Sequence, residues 1–217
     1  MKMRAIFFLF LGLLGPAAMA QVNGKGAVQL GVGINMGAHA TLFESEITVL
    51  GFTKKFSDHD GALTLTVPLE VQVGLADRVS LGLYLEPGSY VDSAGTHPNK
   101  LLLLGMSVRY YVVNKERGGV YLNADLGTTS LEISDVGSAW NQSKYTDRYE
   151  GGHVRLGVGG LYFLGNTFGL HGGIRYVAVN FRWKGRTPRD PMLDALNYKA
   201  NLKTSGALLE LGMQLKF

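Results

Sequence analysis

The chain ends on the stretch Ala207-Leu208-Leu209-Glu210-Leu211-Gly212-Met213-Gln214-Leu215-Lys216-Phe217. Every second residue from Ala207 to Phe217 is apolar, and the residues between them include Glu210, Gln214 and Lys216. Successive side chains of a β-strand point to opposite faces, so this period of two predicts a strand with one apolar face. The strand ends on an aromatic residue, and we expect it to close a sheet.

The other end of the chain has the composition of an export signal. Lys2 and Arg4 precede the apolar run 5–14, and Ala18-Met19-Ala20 follows it. This order of basic, apolar and small residues is typical of a secretory signal peptide cleaved after Ala20. A transmembrane anchor is the alternative, but the run is shorter than the roughly 20 residues that a spanning helix needs. The predicted domains are 1–20, the cleaved signal peptide, and 21–217, one barrel domain.

Composition narrows the class of protein further. The formal charge of the full chain is +4, and it falls to +2 without Lys2 and Arg4, which gives no reason to expect a nucleic-acid partner. The chain has no cysteine, which excludes disulfides and a lipid-modified cysteine. No segment after residue 20 is apolar over a helix-spanning length, so any membrane span must consist of strands in a closed barrel.

Apolar and polar residues alternate in eight segments of the chain. The predicted strands are 26–39, 62–75, 79–86, 101–113, 120–131, 153–163, 168–181 and 207–217. Short links (76–78, 114–119, 164–167) alternate with long ones (41–61, 87–100, 132–152, 182–204). Strands of about 10 residues with alternating short turns and long loops are typical of membrane barrels. We therefore predict an all-β fold, an eight-stranded antiparallel up-and-down transmembrane β-barrel.

A soluble, lipocalin-like barrel would show the same alternation with its apolar face inward. Two features favour an apolar exterior instead. Small residues suit a crowded inner face, and glycines recur on the polar face, at Gly31, Gly33, Gly74, Gly82, Gly105, Gly127, Gly157 and Gly173. Aromatics near the short turns suit an interfacial girdle, and the apolar face carries them there, at Tyr110, Tyr162, Phe168 and Phe217.

With this signal, these strands and the terminal run Leu211 to Phe217, the mature chain resembles small outer-membrane β-barrel proteins of the OmpA/OmpX type. The resemblance implies location in the bacterial outer membrane, with its lipid and lipopolysaccharide as surroundings. It also implies that the barrel-assembly machinery reads the terminal strand, with Phe217 as the assembly signal. It says almost nothing about activity.

The polar face would put eight charged residues into the lumen. They are Glu70, Glu86, Arg109, Asp125, Arg155, Arg175, Glu210 and Lys216. Four acids and four bases favour a self-neutralising network, because buried charge is tolerated only when it is paired. From the turn positions we expect Arg109 to lie across from Asp125, and Arg175 near Glu210. The alternative is that these charges line a narrow channel.

The sequence offers no arrangement for catalysis. A lipid A-deacylating barrel would need a His-x-Ser pair, and none of the five histidines has a serine two residues later. No metal-binding motif and no nucleotide loop are present, so we expect no cofactor and no metal. We predict a non-enzymatic protein that contributes to envelope integrity or to surface contact through its loops. The alternatives are a narrow pore or conduit for small hydrophobic solutes and, less favoured, a lipid A-modifying enzyme.

The last long link begins with four bases around one tryptophan. They are Arg182, Trp183, Lys184, Arg186 and Arg189. Arginine forks suit phosphates, and tryptophan suits a membrane interface, so these residues form a candidate contact with lipopolysaccharide. An ordinary solvated basic loop is the alternative. The sequence does not identify a surface partner.

Overall fold

The computed structural model describes residues 21–93, 97–135, 145–188, 190 and 197–217. These residues form antiparallel strands connected up and down. The strands are β1 (Val28–Val49), β2 (Phe52–Thr66), β3 (Leu69–Ala76), β4 (Val79–Asp92), β5 (Asn99–Asn114), β6 (Gly118–Asp135), β7 (Tyr145–Phe163), β8 (Phe168–Thr187) and β9 (Lys199–Lys216). Among the described residues, there is no helix of the length and apolarity that a membrane crossing requires.

The sheet closes on itself because β1 pairs with β9 along nearly its whole length. Phe217 completes that seam, and its amide donates to the carbonyl of Val28 at 2.9 Å. On the other side of β1, the register is the same in β2 and β3, since Asn35 faces Thr66 and Val32 faces Leu69. β2 and β3 are therefore one barrel strand, and the prediction of an eight-stranded barrel is confirmed.

That barrel strand is interrupted where two prolines fall on neighbouring strands. Pro68 lies between β2 and β3, and Pro87 lies within β4 opposite Val67. Val67 donates to the Pro87 carbonyl at 2.9 Å, but the return bond is missing because proline has no amide hydrogen. The same holds for Pro68 opposite Gly33. Each proline thus removes one bond from its ladder.

The apolar face points outward. Ile34 and Leu211 are 54% and 66% exposed, whereas Glu86 and Arg109 are 1% and 0% exposed. A soluble barrel would have the reverse arrangement, because exposed apolar strands cost free energy in water. The exterior therefore faces lipid, and Tyr110, Tyr162, Phe168 and Phe217 surround the end with the short turns.

The predicted long links are mostly strand, which corrects the sequence analysis. β1 and β2 continue to a hairpin at Leu50-Gly51, both with positive φ (47° and 86°), as a two-residue turn requires. β6 and β7 likewise pair up to Asp135 and Tyr145. The sequence pattern did not indicate these extensions. Where the strands rise above the membrane their outer face is polar, so the alternation disappears although the ladder hydrogen bonds continue.

Two glycines show how the lumen makes room for long side chains. A side chain at Gly82 would collide with Gln72, and one at Gly157 would collide with Arg175. Both glycines lie on inward positions opposite the residue that they accommodate. The inner glycines of the sequence pattern are thus part of the packing of the lumen.

Candidate functional site

The centre of the lumen holds a connected set of ion pairs that crosses the barrel. Arg155 Nη1 lies 2.6 Å from Glu86 Oε2, and Arg155 Nε lies 3.0 Å from Asp125 Oδ2. The same Asp125 oxygen lies 2.8 Å from Arg175 Nη1, and Arg175 also pairs with Glu210. All five side chains are almost fully buried. The chain of charges runs across the lumen from β4 to β9.

Arg109 belongs to a second ion pair. Its Nη2 lies 2.6 and 2.7 Å from the two carboxylate oxygens of Glu70, and its guanidinium covers the ring of Tyr121 at 4.6 Å. The predicted pairing with Asp125 is wrong. The ladder of β5 and β6 sets Asn123 opposite Arg109, and the guanidinium reaches past β4 to β3 instead.

The remaining predicted lumen residues fall into two groups. Arg175 contacts Glu210 as expected, although their backbones are offset by one pair, with Gly173 facing Glu210. Lys216 lies apart from the ion pairs, at the end with the short turns. Its Nζ donates to the Gln21 carbonyl at 3.0 Å and lies 4.8 Å from the centre of the Phe163 ring.

One buried histidine, His153, has the hydroxyl group of Thr129 as its neighbour. His153 Nδ1 lies 2.6 Å from Thr129 Oγ1, and its Nε2 contacts the Tyr84 hydroxyl. A hydroxyl beside an imidazole is the beginning of a nucleophilic site, but such a site also needs a group that orients the imidazole and access for substrate. Thr129 is 3% exposed, so its hydroxyl offers no access for substrate. The three side chains pack against one another inside the lumen.

Above the charges, the lumen holds a cluster of apolar side chains among threonines and histidines, and the sequence analysis did not predict this cluster. The inward side chains there include Leu101, Leu103, Leu131, Val177, Val179, Phe181, Leu202 and Leu208. The only sequence signal was a local loss of alternation, as in the apolar runs 101–104 and 176–179. Where this layer meets Glu86 and Arg155, a small cavity of about 30 Å³ remains.

The residues after the predicted signal cover the mouth at the short turns, which by the usual orientation is the periplasmic mouth. Val22 is fully buried among Tyr111, Tyr121, Leu161 and Phe163. Asn23 donates from Nδ2 to the carbonyls of Ala76 and Asp77 at 2.8 and 3.2 Å. Asn114 accepts from the Asn23 amide at 3.0 Å and donates to its carbonyl at 2.7 Å. We call residues 21–25 the N-terminal latch.

The extracellular end has a cluster built around one carboxylate. Asp147 accepts from Trp183 Nε1 at 3.0 Å, and from Arg186 Nε and Nη2 at 3.0 and 2.8 Å. Arg186 lies 3.8 Å above the Tyr145 ring, and the Trp183 and Tyr198 rings meet edge to face at 5.1 Å. The hydrogen bonds to Asp147 raise the pKa of Arg186 above its ordinary value. We call these five residues the rim cluster.

Four of the five residues predicted to contact lipopolysaccharide lie on two different faces of β8. Trp183 and Arg186 belong to the rim cluster and point inward, while Arg182 and Lys184 lie exposed on the outer wall. Arg189 lies outside the described residues. The strand period of two separates Trp183 from Arg182 and Lys184. A bulge at Lys184, which has no register partner on β7, then brings Arg186 to the same face as Trp183, so the residues do not form one surface.

Comparisons with known proteins rest on structure. No protein-family model matches the chain, and no curated protein matches it. The fold is similar to that of the outer membrane protein OprG from Pseudomonas aeruginosa, at 15% identity, with 90% of this chain and 97% of that chain covered and a TM-score of 0.49. It is also similar to the outer membrane protein AlkL, at 13% identity, 94% and 95% coverage and a TM-score of 0.48.

A protease has a related shape as well. The outer membrane protease OmpT from Escherichia coli matches at 11% identity, 94% and 100% coverage and a TM-score of 0.40. At these identities the likeness concerns shape alone. The apolar exterior, the charged interior and the closed ring of strands make this protein an integral β-barrel of the bacterial outer membrane.

Proposed function

We propose that this protein is a non-enzymatic, sealed outer-membrane barrel that stabilises the envelope and presents its extracellular rim for surface contact. The observation that carries the proposal is the continuous line of buried ion pairs from Glu86 through Arg155, Asp125 and Arg175 to Glu210. Side chains that bind one another across the lumen leave no room for a passing solute, because an eight-stranded barrel is only wide enough for side chains to fill it.

Two further layers support a sealed lumen. On the extracellular side the apolar cluster around Leu131 and Phe181 packs against the charges. On the periplasmic side the N-terminal latch buries Val22 and Asn23 in the mouth. A solute would have to displace all three layers. Opening the central layer alone would leave charged side chains without partners, which costs several kcal/mol per ion.

The rim cluster supports the surface-contact part of the proposal. Hydrogen bonds from Trp183 and Arg186 to Asp147 fix the ends of β7 and β8 above the membrane. A side chain that is already ordered loses less conformational entropy on binding a partner. Aromatic and arginine side chains are also those most often responsible for binding energy at protein interfaces.

Flux through purified protein in liposomes tests the sealed lumen. We expect the intact protein to pass neither ions nor small solutes, and the Arg175→Ala variant to leak because Asp125 and Glu210 lose their shared partner. Heat-modified mobility in gels checks that the variant still folds. Reproducible flux through the intact protein would contradict the proposal and favour a pore.

Genetic complementation tests the envelope and contact roles. A deletion strain of the source bacterium should become sensitive to detergent, and the intact gene should restore resistance. The Trp183→Ala/Arg186→Ala variant should restore resistance while losing attachment to surfaces. Unchanged detergent resistance and attachment in the deletion strain would argue against both roles. An altered lipid A acylation pattern, restored by the intact gene, would instead indicate an enzyme.

A conduit for hydrophobic solutes is the second candidate, and one observation favours it. The apolar upper lumen lies beside the ladder that Pro68 and Pro87 interrupt. A sideways exit into the membrane would need a place where hydrogen bonds between neighbouring strands are missing. Uptake of a hydrophobic solute by cells that carry the protein or its Pro87→Ala variant distinguishes the candidates. Uptake that falls in the variant would favour the conduit, and uptake independent of the protein would favour the sealed barrel.

A further inference from the structure

We propose that a groove on the outer wall of β5, β6, β7 and β8 binds one lipopolysaccharide molecule through its lipid A phosphates. This site goes beyond the sealed-barrel function, and it would exist in a sealed or a conducting barrel alike. It uses only outward residues at the level where the apolar belt ends.

The groove is a depression of about 750 Å³ that is lined by Leu102 and Leu104 on β5, by residues of β6 and β7, and by Asn180, Arg182 and Lys184 on β8. It shares Gly152 and Asn180 with a second depression of about 600 Å³. Short outward residues occur on four neighbouring strands at the recess: Thr128 faces Gly152 on β6 and β7, and Ala178 faces Ser205 on β8 and β9.

The two cations of the groove have no ion-pair partner among the described residues. Neither Arg182 nor Lys184 forms an ion pair with any residue in the part of the chain that the structure describes. The carboxylate that also borders the groove, Glu150, lies directly opposite Arg182 in the ladder, but its side chain pairs with Arg148 at 3.1 Å. Arg186, four residues after Arg182 on β8, does have an ion-pair partner, because it binds Asp147 within the rim cluster. The structure therefore leaves two positive charges at the groove for an external anion.

The chemistry of the groove fits a phosphorylated lipid whose acyl chains lie beside the barrel. Arg182 and Lys184 are two residues apart on β8, and both side chains are exposed on the outer wall. An arginine fork and an ammonium suit phosphate oxygens. Leu102 and Leu104 offer an apolar surface to an acyl chain, while Asn180 and Thr128 offer hydrogen bonds to sugar groups. Lipid A combines phosphates, sugars and acyl chains in one molecule of the outer leaflet.

Native mass spectrometry of the folded protein in detergent tests the site with three probes: bisphosphorylated lipid A, dephosphorylated lipid A and phosphatidylglycerol. We expect one bound bisphosphorylated lipid A and much weaker binding of the other two. The Arg182→Ala/Lys184→Ala variant should bind it at least about tenfold more weakly, the factor that corresponds to a single charge-assisted hydrogen bond. A matched control, Lys54→Ala/Lys55→Ala, removes two cations from the β1–β2 hairpin and should bind normally.

A groove-filling variant separates shape from charge. A Cβ added at Gly152 would meet only the Gly127 carbonyl oxygen, at the ordinary contact distance of 3.7 Å, so a side chain can begin there without displacing the backbone. Gly152→Leu would place its side chain in the groove. It fills the groove and keeps both cations, and we expect it to lose lipid A as the double variant does. Equal binding of lipid A by the intact protein, the double variant and Gly152→Leu would overturn the proposal. So would equal binding of phosphatidylglycerol, which would indicate general attraction of anionic lipid.

Discussion

Arg155 Nη1 lies 2.6 Å from Glu86 Oε2, although β5 and β6 separate the strands that carry the two residues. The pair therefore crosses the lumen instead of following the wall. Asp125, directly opposite Arg155 on the neighbouring strand, binds the same guanidinium from the other side. An arginine held between two carboxylates from different parts of the wall ties opposite sides of the barrel together.

Asp125 is the carboxylate on which two arginines depend. We expect Asp125→Ala to destabilise the barrel by roughly 3–5 kcal/mol, because Arg155 and Arg175 would each lose a buried partner. Urea unfolding of the protein folded in lipid or detergent measures the effect. Asp77→Ala, in an exposed turn, removes the same group and should leave the midpoint unchanged. A normal midpoint for Asp125→Ala would mean that the charges are solvated.

The pairing of Arg109 can be tested by a double-mutant cycle. Arg109→Ala and Glu70→Ala should be coupled by about 1–3 kcal/mol, because their side chains are in direct contact. The cycle of Arg109→Ala with Asp125→Ala should give a smaller coupling energy. Unfolding free energies of the single and double variants supply both values. A larger coupling to Asp125 would restore the pairing expected from the sequence and contradict the one in the structure.

The N-terminal latch should depend on Asn114. That side chain bonds to the amide and carbonyl of Asn23 and to Gln21. We expect Asn114→Ala to accelerate hydrogen exchange at the amides of Val22 and Asn23 by about tenfold or more, corresponding to the loss of at least one net hydrogen bond. The β9 amides should exchange as before.

Lys115→Ala is the matched control for the latch. Val22 uses only the backbone carbonyl of Lys115, at 2.9 Å, so this variant should keep the latch closed. Equal exchange in the intact protein and in Asn114→Ala would mean that burial of Val22 alone holds the segment.

Replacing Pro87 should stabilise the barrel. Pro87→Ala supplies an amide opposite the Val67 carbonyl and should complete that rung of the ladder. Because any proline replacement also loosens the unfolded chain, the reference is Pro98→Ala, which lies just before β5. We expect Pro87→Ala to be more stable than Pro98→Ala by about 0.5–1.5 kcal/mol in urea unfolding. Equal stabilities would mean that the new amide finds no partner.

The sequence by itself determined the architecture. A period of two in the terminal strand and in segments such as 168–181 distinguishes the two faces, and the hairpin connections follow from their spacing. It also determined that Arg155, Asp125 and Glu210 lie inside, because the alternation of neighbouring residues in the strand is enough to assign each residue to a face. Strand ends above the membrane were underestimated, since there the outer face is polar and the alternation disappears although the ladder continues.

Only the tertiary structure decided which inward residues meet. Arg109 binds Glu70 and not Asp125 because the register of β5 and β6 includes a bulge near Tyr111, and because a long guanidinium can pass over a neighbouring strand. Likewise, Arg182 and Arg186 have similar sequence surroundings, yet one faces the outer groove and the other binds Asp147. Contacts across a closed ring depend on the shape of the whole barrel, which no single strand encodes.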